Sequence, residues 1–221
     1  MPLWKEIAGT EPETVVERPA NALRQAKGKF EKGQLLIQQH PSRVDFIYSP
    51  NDFNPMQAND SPFVEIGTAG EAFSVFNSKI RLINSLNFNC ARIAYGPTLF
   101  MKRGSVVECN EIFNTFNPNI QIDAKKDSDL FLQLNKPIKS INNNAIVINR
   151  IFKWQVTEFG LITLAPDAKT LIEQTSASMC RLELDYSTIQ NGSVALDVEA
   201  RAALFEEMQH DAHEVFARSG S

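Results

Sequence analysis

Residues 130–156 read LFLQLNKPIKSINNNAIVINRIFKWQV: two β-rich runs on either side of a polar turn. Leu130, Leu132 and Leu134 alternate with Phe131 and Gln133, and the run ends at Asn135-Lys136-Pro137. Proline removes a ladder donor, so it belongs at a strand end or edge. Asn142, Asn143 and Asn144 follow. Asparagine tolerates left-handed backbone and bonds its own main chain locally, so the triplet marks a turn. Ile146, Val147, Ile148, Ile151, Phe152, Trp154 and Val156 then supply β-branched and aromatic surface. The stretch predicts an antiparallel hairpin. Asn149 and Arg150 interrupt its second strand. They read first as solvent-facing residues or as bonds to a neighbouring loop, and second as a polar contact site, with Lys153 and Trp154, for a protein partner.

The flanking sequence is legible in the same terms. Gln34–Gln39 and Arg43–Tyr48 are two strands around the turn His40-Pro41-Ser42. Ser49–Pro62 is a loop rich in Asn, Asp and Pro. Over Thr68–Leu86, Ala69, Phe73, Phe76, Ile80, Ile83 and Leu86 recur at three- and four-residue steps. That spacing is a helix with one apolar stripe, capped by Thr68 with Glu71 three residues on. Asn89–Met101 reads as a strand broken at Gly96-Pro97, and Gly104–Phe116 as a weaker helix. Beyond the hairpin, Trp154–Leu164 reads as a strand pair turning near Phe159-Gly160, and Pro166–Ser176 as helix or loop. Met179–Ile189 is a strand, Gln190–Ser193 a turn, and Val198–Arg218 a terminal helix. Antiparallel strand groups separated by a few helices define an α+β fold, an antiparallel or mixed sheet packed by two or three helices.

The hairpin also resembles the segment F-x-Q-I-N-[KR]-P…I-N-R-[LI]-x-x-W of a sporadically distributed bacterial family of uncharacterised function. The matching residues are Phe131, Gln133, Leu134, Asn135, Lys136 and Pro137, then Ile148, Asn149, Arg150, Ile151 and Trp154. Residues 36–46, LIQQHPSRVDF, resemble that family's L-x-V-Q-P-x-R-[IL]-x-[FW] hairpin, and a final helix with His213 near its end also fits. The resemblance spans roughly residues 35–218 and brings no catalytic residues. It implies a protein without assigned chemistry. Sporadic distribution implies mobile elements and, by analogy alone, an accessory or toxin-neutralising role in a bacterial defence-type system.

Composition sets bounds. A chain of 221 residues is one large domain or two small ones. The reading is an N-terminal arm over residues 1–33, mobile and with a short helix near Ala20–Lys27, followed by one α+β domain over 34–218 that could divide near residue 88. Ser219-Gly220-Ser221 reads as a cloning or linker remnant. A net charge of −4 gives no overall footprint for nucleic acid. Arg103, Lys125, Lys126, Lys136 and Lys139, with Lys153, nonetheless concentrate positive charge mid-chain, so a nucleic-acid or nucleotide site is the alternative reading.

Cys90, Cys109 and Cys180 are widely spaced and form no C-x-x-C pair, which fits reduced thiols in a cytoplasmic protein. The N-terminus lacks the basic start and apolar run of a signal peptide, and no stretch approaches the ~20 apolar residues of a membrane span. No phosphate-cradling or nucleophile-elbow glycine motif is present. A third reading places a metal on the last helix, where Glu206, His210, His213 and Glu214 recur at three- and four-residue steps. Against it, the spacing is not H-E-x-x-H, no second cluster offers the missing ligands, and a solvated face with His–Glu pairs at the helix end is the first explanation. The sequence therefore points to a non-catalytic binding or assembly protein without cofactor, partnered by a second copy of itself or by another protein, and with no membrane.

Overall fold

Alternation of apolar and polar residues builds two separate antiparallel sheets, each with its own helices. The structure, a computed structural model, describes residues 2–51, 65–86, 90–164, 171–189 and 195–217. The fold is α+β, as the sequence indicates, and the chain forms two units, Met1–Leu86 and Asn87–Ser221.

The first unit holds helix α1 (Pro2–Ala8), strands β1 (Thr14–Arg18), β2 (Leu23–Phe30), β3 (Gly33–His40) and β4 (Arg43–Ser49), and helix α2 (Ala69–Ser85). The strands form an antiparallel meander in the order β1-β2-β3-β4. Ala26 pairs with Ile37, which pairs with Phe46, so all three fall on one face. Trp4, Ile7, Ala26, Phe30, Leu35, Ile37 and Ile83 form the core there, joining both helices to the sheet. Gly28 is needed where β2 runs under α1, since a Cβ would lie 3.0 Å from the Glu13 nitrogen and 3.2 Å from the Trp4 ring. α2 starts at the expected capping box: the Glu71 amide donates to Thr68 Oγ1 and the Thr68 amide donates to Glu71 Oε2.

The expected mobile arm is a correction. Residues 2–33 supply a helix and two strands of this unit, and Leu23–Phe30 is a strand where a short helix was anticipated. Pro19 sits in the turn between β1 and β2, closed by Ala22 in the left-handed region at φ 47°. That proline separates two strands and does not prevent them. Gln25, Lys27 and Lys29 lie on the face opposite Ala26 and Phe30, and Arg24 is exposed near the strand's start, which disguised a half-buried strand as a polar segment.

The second unit contains β5 (Ala94–Tyr95), β6 (Thr98–Arg103), α3 (Val106–Phe116), β7 (Phe131–Asn135), β8 (Ile138–Lys139), β9 (Val147–Leu164), β10 (Leu171–Thr188) and α4 (Val198–Ala217). β9 and β10 form a long antiparallel ribbon; β5 and β6 add to β10, and β7 and β8 add to β9. The hairpin read from residues 130–156 is present, with Phe131 opposite Gln155 and Asn135 opposite Ile151. No turn occurs at Phe159-Gly160. β9 runs on to Leu164, and residues 171–176 are strand, not helix or loop. A single glycine in a strand run does not reverse the chain when the partner strand continues to pair across it, as Ser176 does with Gly160. Most of the Ser49–Pro62 loop and the Gln190–Ser193 turn lie outside the described residues.

Over residues 148–156 of β9 and 178–186 of β10, the even-numbered residues face the helices. Trp154, 4% exposed, meets Phe113 edge-on at 5.9 Å between ring centroids and Phe116 at 4.7 Å. Cys109, Ile148, Val156, Cys180, Leu182, Leu184, Leu204, Met208 and Ala212 complete that core.

Candidate functional site

β9 crosses the middle of the second sheet, so its alternating residues serve two different faces. Arg150 and Trp154 share the helix-facing side with Ile148 and Phe152. Asn149, Ile151, Lys153 and Gln155 take the opposite, half-exposed side. The four residues singled out for partner binding therefore do not form one patch. Trp154 is core, which corrects its assignment as a contact residue.

Arg150 is a positioning residue for α4. Its Nη1 donates to Asp211 Oδ1 at 2.6 Å and its Nε donates to the Lys136 carbonyl at 2.9 Å. The side chains of the pair are 18% and 25% exposed. Asp185 and Glu183 on the neighbouring strand cannot reach it. The register places Arg150 opposite Tyr186, so 183 and 185 fall on the other face. Asp211 Oδ2 and the Tyr186 hydroxyl are both buried, and neither ends in a well-formed hydrogen bond. They lie near each other. Burial and the neighbouring Asp211 carboxylate push the ionisation of Tyr186 upward.

One turn earlier on α4, the buried Glu207 carboxylate accepts from Ser140 Oγ at 2.6 Å, the Ile141 amide at 2.9 Å and Asn142 Nδ2 at 3.1 Å. Ser140 Oγ in turn accepts from the Asn142 and Asn143 amides. The asparagine turn is thus tied to α4. Residue types alone do not announce this network. The available signal is position: Glu207 and Asp211 ride on the same helical stripe as Leu204, Met208 and Ala212.

The open face has a different chemistry. Register places Phe131, Gln133 and Asn135 of β7, Asn149, Ile151, Lys153 and Gln155 of β9, Arg181, Glu183 and Asp185 of β10, and Phe100 of β6 together. Glu183 accepts from Lys153 Nζ at 2.6 Å and from Arg181 Nη2 at 2.9 Å. Phe131, at the sheet edge, is 63% exposed. The face combines apolar side chains with paired charges, the composition of a polar protein contact more than of a catalytic centre.

The other candidate groups do not assemble. Arg103 ends β6 on one edge of the sheet, while Lys136 and Lys139 lie along the opposite edge. Lys125 and Lys126 stand in the loop after α3, where Lys126 pairs with Asp123 at 3.1 Å. Lys136 covers the Phe152 ring from 5.4 Å. The mid-chain positive residues therefore make no single basic face. Glu206, His210, His213 and Glu214 are exposed because Leu204, Met208 and Ala212 take the buried stripe. His210 Nε2 lies 3.4 Å from Glu214. Among the described residues, no group of three or more His, Cys, Asp or Glu is gathered to hold a metal ion, which corrects the metal reading. Burial pushes the Cys109 thiol up to about 11 and the Cys180 thiol up to about 12, opposite to the shift a nucleophilic thiolate requires.

Among the described residues no helix is long and apolar enough to cross a membrane. No protein-family model matches this chain, and no curated protein matches it.

Proposed function

We propose that the protein is a non-catalytic binding or assembly protein whose contact surface is the open face of the second sheet. The observation that carries this reading is the exposed Phe131 at the edge of a face that sets the half-buried Ile151 and Phe100 on either side of the ion-paired Lys153, Glu183 and Arg181. Buried aromatic anchors within a polar surround give such interfaces most of their energy. The accessory or toxin-neutralising role in a bacterial defence-type system, implied by the family resemblance, is one setting for such a protein.

The test is co-purification from the native host with wild type, Phe131→Asp and Ile151→Asp, alongside thermal melts. The reading expects both variants to melt close to wild type and to lose a partner that wild type retains. Partners retained equally by all three proteins would refute it.

A further inference from the structure

The outer strand of the second sheet presents an unpaired edge whose pattern suits its own copy. β7 bonds to β9 through its even-numbered residues. The Val156 amide donates to the Leu130 carbonyl, and the Lys136 amide donates to the Arg150 carbonyl. In an antiparallel ladder the intervening residues then point their amides and carbonyls away from the partner strand. Those residues are Phe131, Gln133 and Asn135, and all three are exposed. Among the described residues, no second strand lies along this edge. An edge of this kind is a template for pairing unless the sequence blunts it with charge or proline. Leu130–Asn135 contains neither. Pro137, at the next outward position, ends the free run.

We infer that β7 pairs antiparallel with β7 of a second copy of this chain across a two-fold axis at Gln133. That register sets Phe131 opposite Asn135 of the second copy and Gln133 opposite its counterpart. Three outward amides and three outward carbonyls per copy close as six main-chain hydrogen bonds. Any shift along the strand reduces that number. Charge complementarity favours the same arrangement. Asp127 and Asp129 stand next to the strand's start, with Lys125 and Lys126 further back and Lys126 paired to Asp123; Lys136 and Lys139 follow the strand, and Asp127, Asp129, Lys136 and Lys139 are all exposed. Two-fold antiparallel pairing brings each acidic flank to the basic flank of the other copy. The pairing also joins the two open faces into one continuous surface. The inference thus deepens the reading proposed above and rests on it for its purpose, not for its geometry.

Sedimentation equilibrium of the full chain, over roughly 1 μM to 1 mM, the range of weak to moderate association, tests it. Wild type is expected to pass from monomer to dimer. Gln133→Pro removes an outward amide without touching a bond to β9 and should remain monomeric. Lys136→Glu with Lys139→Glu makes both flanks acidic, and Asp127→Lys with Asp129→Asn turns the other flank basic. Each of these doubles should lose self-association at least tenfold, and mixing the two should restore a dimer containing one of each. If Gln133→Pro fails to fold, the charge variants decide. A wild type that stays monomeric throughout overturns the inference, as does a dimer indifferent to the charge variants. A monomer that still loses its native partner on Ile151→Asp would sink the self-pairing and leave the proposed function standing.

Discussion

In the first unit, α2 buries Phe73, Ile80, Ile83 and Asn84, and its ion pair of Lys32 with Glu71 at 2.7 Å sits in solvent at the helix start. In the second unit, α4 buries Arg201, Glu207 and Gln209 beside Leu204, Met208 and Ala212, and its ion pair with Arg150 lies largely out of water. Two helices on two antiparallel sheets are thus fixed by different means. An apolar stripe tolerates small rotations because dispersion contacts are non-directional. A buried charge pair does not, since its desolvation is offset only at good geometry. Salt should act weakly on α4 and plainly on the start of α2.

The largest effect expected is at Arg150. Arg150→Ala leaves Asp211 buried without its cation and the Lys136 carbonyl without its donor. Breaking a largely buried pair costs about 3–5 kcal/mol. Urea unfolding followed by near-ultraviolet signal from Trp154, the tryptophan of this unit, should show the midpoint fall. An unchanged midpoint would mean that α4 is held by its apolar residues, as α2 is. Glu207→Ala should come next. It strands the buried Ser140 hydroxyl, at about 1–3 kcal/mol, and removes the acceptor of the part-buried Ile141 amide. Hydrogen exchange should then rise along residues 140–143 as well as along α4, because the turn and the helix share that carboxylate.

Thr68→Ala is the counterpart in the first unit. It removes the N-cap of α2 at a cost of about 1 kcal/mol. The two units should separate clearly here. The α4 mutations are expected to leave exchange in α2 unchanged, and the reverse should also hold.

The sequence disclosed these elements unequally. The stripe from Ala69 to Leu86 and the Thr68–Glu71 box are local patterns, and the helix lies where they place it. The 130–156 hairpin was legible for the same reason, its strand residues and turn residues being contiguous. Alternation along β9 sets Arg150 among the apolar residues Ile148, Phe152 and Trp154. Its partner was not legible, because Asp211 lies sixty-one residues away and is brought near by tertiary packing alone. The first two strands were missed because Gln25, Lys27 and Lys29 face outward on a sheet buried on one side only. In sequence the three cysteines read alike. The structure divides them, with Cys109 and Cys180 inside and Cys90 half-exposed.

The smallest effect is the pH response of the α2 cap. Hydrogen bonds from Lys32 and from the Thr68 amide and hydroxyl hold Glu71 down at about 2, against an ordinary value of 4.5. Its folded value is therefore lower than its unfolded one. The contribution to stability is fully present above about 4.5 and is lost as the pH falls through that value towards 2. Because the pair is fully in water, salt should screen it. The measurement is the difference in exchange protection at the first-turn amides between wild type and Glu71→Gln, taken at pH 6 and again near pH 2.5, at low and high salt. The difference should shrink towards zero in acid and shrink partly in salt. Protection around Glu207 and Asp211 should show no matching loss in salt. If salt weakened α4 as much as the α2 cap, the contrast between a solvated and a buried carboxylate anchor would fail.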